Sequence, residues 1–176
     1  KDPCTGEPAP ILILPGRTFP VKREATTEAV AHMMRENMKW GKNVLAFEPG
    51  VTRMRATWAK VQSRRSDDVV HMLYGDQSPA AQKAALNPAD RHHVIATRIG
   101  ETSITPEGKD VVVDSGLSNV CGYDKGVRSL RTIFSSKATI DQRAGRVGRT
   151  KEGEHYLAQP DDAPPAPSYD ERPDHD

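Results

Sequence analysis

Four short, continuous apolar runs constrain this chain more than any other feature: Asn43–Phe47 (NVLAF), Val69–Leu73 (VVHML), His93–Ala96 (HVIA) and Val111–Val113. A strand with water on one face alternates apolar and polar residues. A strand that is apolar throughout needs cover on both faces. The stretches between the runs carry helical spacing instead. Val30, Met33, Met34 and Met38 form a stripe within Ala25–Trp40, which predicts a helix capped by Thr26 or Thr27 and closed by Gly41. Val51, Met54, Trp58 and Val61 fall on one side of Val51–Val61, and Pro79–Leu86 reads as a shorter helix. Buried strands separated by helices imply an α/β fold: a parallel sheet with right-handed crossovers and helices on both faces.

Outside that frame the pattern changes. Ile11–Leu14 is a further strand candidate. Leu117–Cys121 and Ser129–Phe134 flank the polar segment Gly122–Arg128, which predicts a β-hairpin extension. Ala138–Val147 reads as a helix and Glu154–Ala158 as a last strand. The 176 residues suit one domain, placed at residues 11–158. Residues 1–10 hold Pro3, Pro8 and Pro10 and are expected to be a flexible segment. Residues 159–176 hold six acids, five prolines and one arginine, the composition of a linker or tail. The chain starts at Lys1 and not at Met, so a piece of a longer polypeptide is expected.

Lys+Arg exceed Asp+Glu by only 25 to 24, which excludes nucleic-acid binding by bulk charge. The average hides an asymmetry. From Lys125 to Lys151 there are eight basic residues and one acid, Asp141. Such a stretch is either a phosphate-facing surface or an ordinary solvated face. The two cysteines, Cys4 and Cys121, make no disulfide framework and fit a reducing compartment, cytoplasmic or nuclear. No apolar run approaches the ~20 residues that span a bilayer, so no membrane partner is expected. His92 and His93 are adjacent on a strand, which sends their rings to opposite faces, and no metal site is expected.

Ligands of parallel α/β sheets bind beyond the carboxyl ends of the strands. Two segments bear on chemistry. The first is Gln142-Arg143-Ala144-Gly145-Arg146-Val147-Gly148-Arg149. If it is helical throughout, Arg146 lies about 40° and Arg149 about 20° from Gln142 around the axis. One amide and two guanidiniums then share a face. Gly145 and Gly148 would cost such a helix about 1 kcal/mol each against alanine, which points to a use beyond folding. Guanidinium forks donate two hydrogen bonds at once to the spreading charge of a transferring phosphoryl group. The second segment, Thr97–Gly108, crowds hydroxyls and carboxylates at the exit of the HVIA strand. Such a loop can serve nucleic-acid phosphates and a ribose hydroxyl, or simply be a polar turn.

With these segments in hand, ATRIGETSITPEG followed by VVVDSG and then SSKATIDQRAGRVGRTKEGEHYL resembles motifs V and VI of superfamily 2 helicases of the DEAH/RHA type. Pro15–Val21 (PGRTFPV) resembles the opening of their second RecA-like domain, and Asn43–Gly50 (NVLAFEPG) resembles motif IV. Viral polyprotein helicases of the flavivirus type carry similar motifs. The resemblance runs from Pro15 to Leu157 and implies a RecA-like fold.

It also implies roles. Arg146 and Arg149 would be arginine fingers on a γ-phosphate, and Gln142 would help place the attacking water. Arg143, Thr105 and Glu107 would lie on the nucleotide side, Glu107 where the family usually has an Asp reaching the ribose. Gly50, Thr97, Thr102 and Ser103 would lie near a nucleic-acid backbone. Arg98 stands where these proteins usually have Asn, also on the nucleic-acid side. Leu86 falls near the position of an aromatic ring under the base, where stacking would be lost. The implied ligands are single-stranded RNA and ATP or another NTP with Mg²⁺. No G-x-x-x-x-G-K-[ST] P-loop and no DExH segment occurs in the sequence. The implied function is therefore half of an NTP-dependent RNA helicase, inactive alone and completed by a P-loop RecA-like domain. The competing reading is a nucleic-acid-binding or protein-docking module that kept the fold and works without ATP.

Overall fold

The computed structural model describes residues 19–62, 68–87, 91–102, 106–124 and 126–158. The expected Ile11–Leu14 strand, the N-terminal ten residues and the segment 159–176 lie outside them. Among the described residues the elements run β1 (Val21–Thr26), α1 (Val30–Lys39), β2 (Val44–Phe47), α2 (Val51–Gln62), β3 (Val69–Leu73), α3 (Pro79–Leu86), β4 (His92–Ala96), α4 (Ile99–Thr102), β5 (Val111–Asp114), β6 (Leu117–Asp124), β7 (Val127–Phe134), α5 (Lys137–Ala144) and β8 (Gly153–Ala158). Six strands form one parallel sheet in the order β1-β8-β5-β2-β4-β3, while β6 and β7 pair antiparallel as a separate hairpin.

Three of the four apolar runs become the central strands, buried at every residue in β2, β4 and β5, while the fourth, β3, closes the sheet as an edge strand with Val69 exposed. Their alternate side chains feed two cores. Val44, Ala46, Val111 and Val113 face Val30, Met34 and Met38 of α1 and Met54 and Val61 of α2. Leu45, Phe47 and Val112 face Ala85 of α3 and Val147, beyond α5. Full burial of one such Val, Leu or Phe contributes about 1.5–3 kcal/mol, so the two layers together decide the fold. No described helix is long and apolar enough to cross a membrane.

Several elements differ from the sequence expectation, among them the one-turn helix α4 within the segment expected to be a polar loop. The helix expected over Ala25–Trp40 begins only at Val30. Val21–Thr26 is instead an edge strand paired with β8, and its polar sequence VKREAT follows from its exposure. Ala29, not Thr26 or Thr27, precedes α1, and no side chain caps it. The hairpin strands reach almost to the turn at Gly126 (φ +78), so most of the polar segment Gly122–Arg128 is strand. The helix expected over Ala138–Val147 stops at Ala144, with Gly145 as its C-cap.

His92 and His93 are buried at the start of β4. His93 Nδ1 accepts the Val44 amide at 3.2 Å, and Lys109 Nζ lies 2.7 Å from His92 Nδ1. Burial pushes both imidazoles down from 6.5 to about 4. Between those values the unfolded chain binds more protons than the native one, so stability rises with pH there. We expect acidification through that window to cost on the order of 3 kcal/mol for each ring, read as falling urea midpoints. His93→Gln should flatten the slope, and midpoints that do not move from pH 6.5 to 4 would refute the assignment.

Candidate functional site

The parallel sheet sorts the candidate residues to its two ends. Gly50 follows β2, Tyr74–Asp76 follow β3, and Thr97 and Arg98 follow β4, all at carboxyl ends. Glu107 precedes β5, and Arg146 and Arg149 precede β8, at amino ends. The candidates thus lie at both ends of the sheet, one set at carboxyl ends and the other at amino ends, because α5 carries the chain back across the sheet before β8 begins.

The carboxyl-end set lines a cavity of about 580 Å³. It brings together Gly50, Thr97 and Arg98 with Thr52 and Arg53 of α2, Tyr74 and Asp76 of the β3–α3 turn, and Asn119, Leu130 and Thr132 of the hairpin. The hairpin leans directly on the β2–α2 turn, since a Cβ at Gly50 would lie 2.6 Å from Asn119 Nδ2. Thr132 Oγ1 donates to Asn119 Oδ1 at 2.7 Å, which orients that amide. Arg98 is exposed, and its Nε is 3.8 Å from Glu101 Oε2. Sequence reasoning missed Thr52, Arg53, Tyr74, Asp76, Asn119 and Thr132. Arg53 and Asp76 carried a signal in their places just past strands. Nothing in the sequence shows that the hairpin folds onto Gly50.

The amino-end set lines a smaller cavity of about 210 Å³, bounded by Pro106–Lys109 and Arg146–Lys151. It joins Glu107, Arg146 and Arg149. It does not include Gln142, so the single helical face expected for Gln142, Arg146 and Arg149 is not formed. Beyond Ala144 the chain continues in tighter turns, with Arg146 N donating to Arg143 O at 3.0 Å and Val147 N to Ala144 O at 3.3 Å. Gly148 then reverses it at φ +74. A Cβ there would lie 2.5 Å from Val21 Cγ2 and 2.8 Å from Phe19 O, so only glycine lets the turn seat itself. Phe19 N also donates to Gly148 O at 2.8 Å. Arg149 is exposed, its Nε donating to Gly145 O at 3.2 Å. Burial, and then the neighbouring Arg149 charge, push the Arg146 guanidinium below its ordinary value, while Glu101 pulls the other way.

Arg143 stands between the two ends. It is 2% exposed, among the largest fully buried side chains. Its Nε donates to Glu101 Oε1 at 2.7 Å, and its NH2 also reaches that oxygen. NH1 donates to Asp114 Oδ1 at 2.7 Å and to Leu117 O at 3.2 Å, and NH2 donates to Ser118 Oγ at 3.0 Å. The guanidinium also lies 5.3 Å from the centre of the Phe47 ring. Burial alone would raise the Asp114 carboxyl, but Arg143, His155 and the Gly116 amide outweigh it and hold it below the usual range. Gln142 Nε2 donates to Glu101 O at 2.9 Å, so α4 is clasped twice by α5. Sequence similarity had put Arg143 beside the nucleotide; here its donors are turned inward.

Leu86 is half-buried against the core of Leu45, Leu73 and Ala85 and does not reach the Glu107 cavity. Thr102 ends α4. Ser103 and Thr105 lie outside the described residues. Among the described residues no cluster of three or more His, Cys, Asp or Glu could hold a metal ion.

Residues 24–151 match the family model described as the helicase conserved C-terminal domain. The ATP-dependent RNA helicase HrpB of Escherichia coli is 37% identical over 163 residues, covering 82% of this chain and 20% of that protein. The putative ATP-dependent RNA helicase DHX57 of Homo sapiens is 37% identical over 122 residues, covering 62% of this chain and 9% of that one. A crystal structure of the Escherichia coli DExH-box NTPase HrpB superposes with a TM-score of 0.79 at 33% identity, over 89% of this chain and 21% of that one. The chain therefore spans a fifth or less of the length of these relatives.

Proposed function

Since the chain belongs to the helicase conserved C-terminal domain family, we propose that it is the second RecA-like domain of an NTP-dependent RNA helicase. In this reading a P-loop RecA-like domain holds ATP or another NTP with Mg²⁺ and closes on the amino-end cavity. Arg146 and Arg149 then meet the charge developing on the transferred phosphoryl group, and Glu107 reaches the ribose. Gln142 sits on α5 with its amide on α4, so it reaches the attacking water only if closure releases it from Glu101 O. Single-stranded RNA lies along the carboxyl-end cavity, with its phosphates on Thr97, Arg98, Arg53 and the Gly50 turn. The observation that carries the reading is the sorting of the candidate residues into two cavities, one with two guanidiniums and a carboxylate, the other with hydroxyls, amides and two arginines. A module that worked without ATP would have no use for the first.

The RNA side is tested by salt. Each phosphate neutralised on a single strand lowers the slope of log K against log salt by about 0.7. Arg98→Gln is expected to weaken binding of a single-stranded RNA and to make that slope shallower by about one such step. Fluorescence anisotropy from low to moderate salt measures both. A variant with the affinity and slope of the parent would remove Arg98 from the RNA path.

A further inference from the structure

Lys109 is buried beneath the amino-end cavity, 5% exposed, although it is the most water-seeking kind of side chain. Its Nζ donates to His92 O at 2.7 Å and lies 2.7 Å from His92 Nδ1. His92 belongs to β4 and Lys109 leads into β5, two strands that do not touch, because β2 runs between them. The lysine thus bridges across the amino end of β2. Asn43, just ahead of β2, completes the lattice. Its Oδ1 accepts the His92 amide at 3.0 Å, its Nδ2 donates to Gly108 O at 3.3 Å, and its own amide donates to Asp110 Oδ2 at 2.8 Å.

Above this lattice sits the turn Pro106–Gly108. Pro106 is buried, Gly108 has φ +70, and between them Glu107 is exposed at the cavity. The turn is therefore held from below by Lys109 and from the side by Asn43. A methionine would fill the space under the sheet without the cost of desolvating an amine. A lysine kept there is a candidate for a task beyond packing.

We propose that Lys109 is a positioning residue for the nucleotide-facing edge: gripping His92, it fixes the Pro106–Gly108 turn and with it the Glu107 carboxylate. The assignment to a nucleotide rests on the function proposed above. The grip itself does not. The groups facing Lys109 are His92 and His93 on β4, with the ring of His71 of β3 centred 4.8 Å from that of His92, and Asp110 beside it, which pairs with Lys151. Burial pushes the amine down to about 7 against the pull of Asp110, and the imidazole of His92 to about 4. Near neutrality the ring is neutral and can accept from the ammonium. As pH passes through about 7 the ammonium is lost and the grip loses its charge assistance.

Two measurements test this in the full-length protein, with Lys109→Met as the variant and Lys109→Gln, which keeps a donor, as a second that should fall between it and the parent. The first is amide hydrogen exchange at His92 and Asp110, whose amides donate to Asn43 Oδ1 and Asn43 O within the lattice that the lysine bridges, and it needs no turnover. Exchange at least tenfold faster in Lys109→Met is expected, and unchanged exchange overturns the proposal. The second is NTPase kinetics. KM for the nucleotide is expected to rise about fivefold in Lys109→Met with kcat within twofold. The parent's KM should climb through neutral pH, whereas the variant's should not. Adding Glu107→Ala to Lys109→Met should raise KM no further than Glu107→Ala alone, because the lysine acts through the carboxylate. Additive effects, or a parent-like pH profile in Lys109→Met, overturn the proposal. A parent that turns over no NTP strikes the functional reading instead, and exchange still decides the role of the lysine.

Discussion

Arg149→Ala in the full-length protein is expected to lower NTP turnover by a factor on the order of 10³ or more while single-stranded RNA still binds. Arginine fingers on a transferred phosphoryl group are worth roughly 10³–10⁵ in rate. Arg149 is exposed at the mouth of the amino-end cavity, and its recorded bond is to the Gly145 carbonyl, so its loss removes little from the fold. Surface truncations of that kind usually change stability by no more than about 0.5 kcal/mol. Arg146→Ala should lower turnover comparably, with some loss of stability because that side chain is half-buried. The check pairs an NTPase assay with RNA anisotropy on the same preparation. Turnover within tenfold of the parent would reject the finger assignment. Loss of RNA binding in parallel would mean that the two ends of the sheet are not separate sites.

Arg143→Ala is expected to cost about 3–5 kcal/mol of folding stability, the range for breaking a buried ion pair from one side. The arginine neutralises Glu101 and Asp114 together, and both carboxylates are buried, at 3% and 0% exposure. Removing it leaves two carboxylates of like charge without their cation in the interior. Domains of this size are stable by about 5–15 kcal/mol, so the variant would sit near the edge of folding. Arg143→Lys keeps the charge but cannot fork between two acids and a carbonyl, and should recover only part of the loss. Urea unfolding measures both. A loss below about 1 kcal/mol for the alanine variant would mean that the network is not what holds α4, α5 and the hairpin root together.

The sheet was legible because β2, β4 and β5 are apolar without interruption, and that pattern has few solutions. β1 was not, because an edge strand exposed along most of its length needs no hydrophobic signal and VKREAT has none. Motif residues at the carboxyl ends could be found from their places after strands. The amino-end cavity is not legible in this way, because the pattern over Ala138–Val147 suits one unbroken helix, in which Gly145 and Gly148 are a cost and not a signal of where the chain turns. The chain instead leaves the helix at the first and turns back at the second. Arg143 looked like its neighbours Arg146 and Arg149 in sequence. Only the convergence of Glu101, Asp114 and Ser118 from three distant segments separates a structural arginine from two that face the cavity.

The turn at Gly148 is fastened to the strand that brings the chain into the sheet. Phe19 gives its amide to Gly148, and Val21 closes against the space where a side chain would stand. Incoming polypeptide and guanidinium-bearing turn therefore share a single fixing point. A displacement of Phe19 acts on the loop between Arg146 and Arg149 through one backbone hydrogen bond and one side-chain contact, as a latch moves with the post to which it is tied.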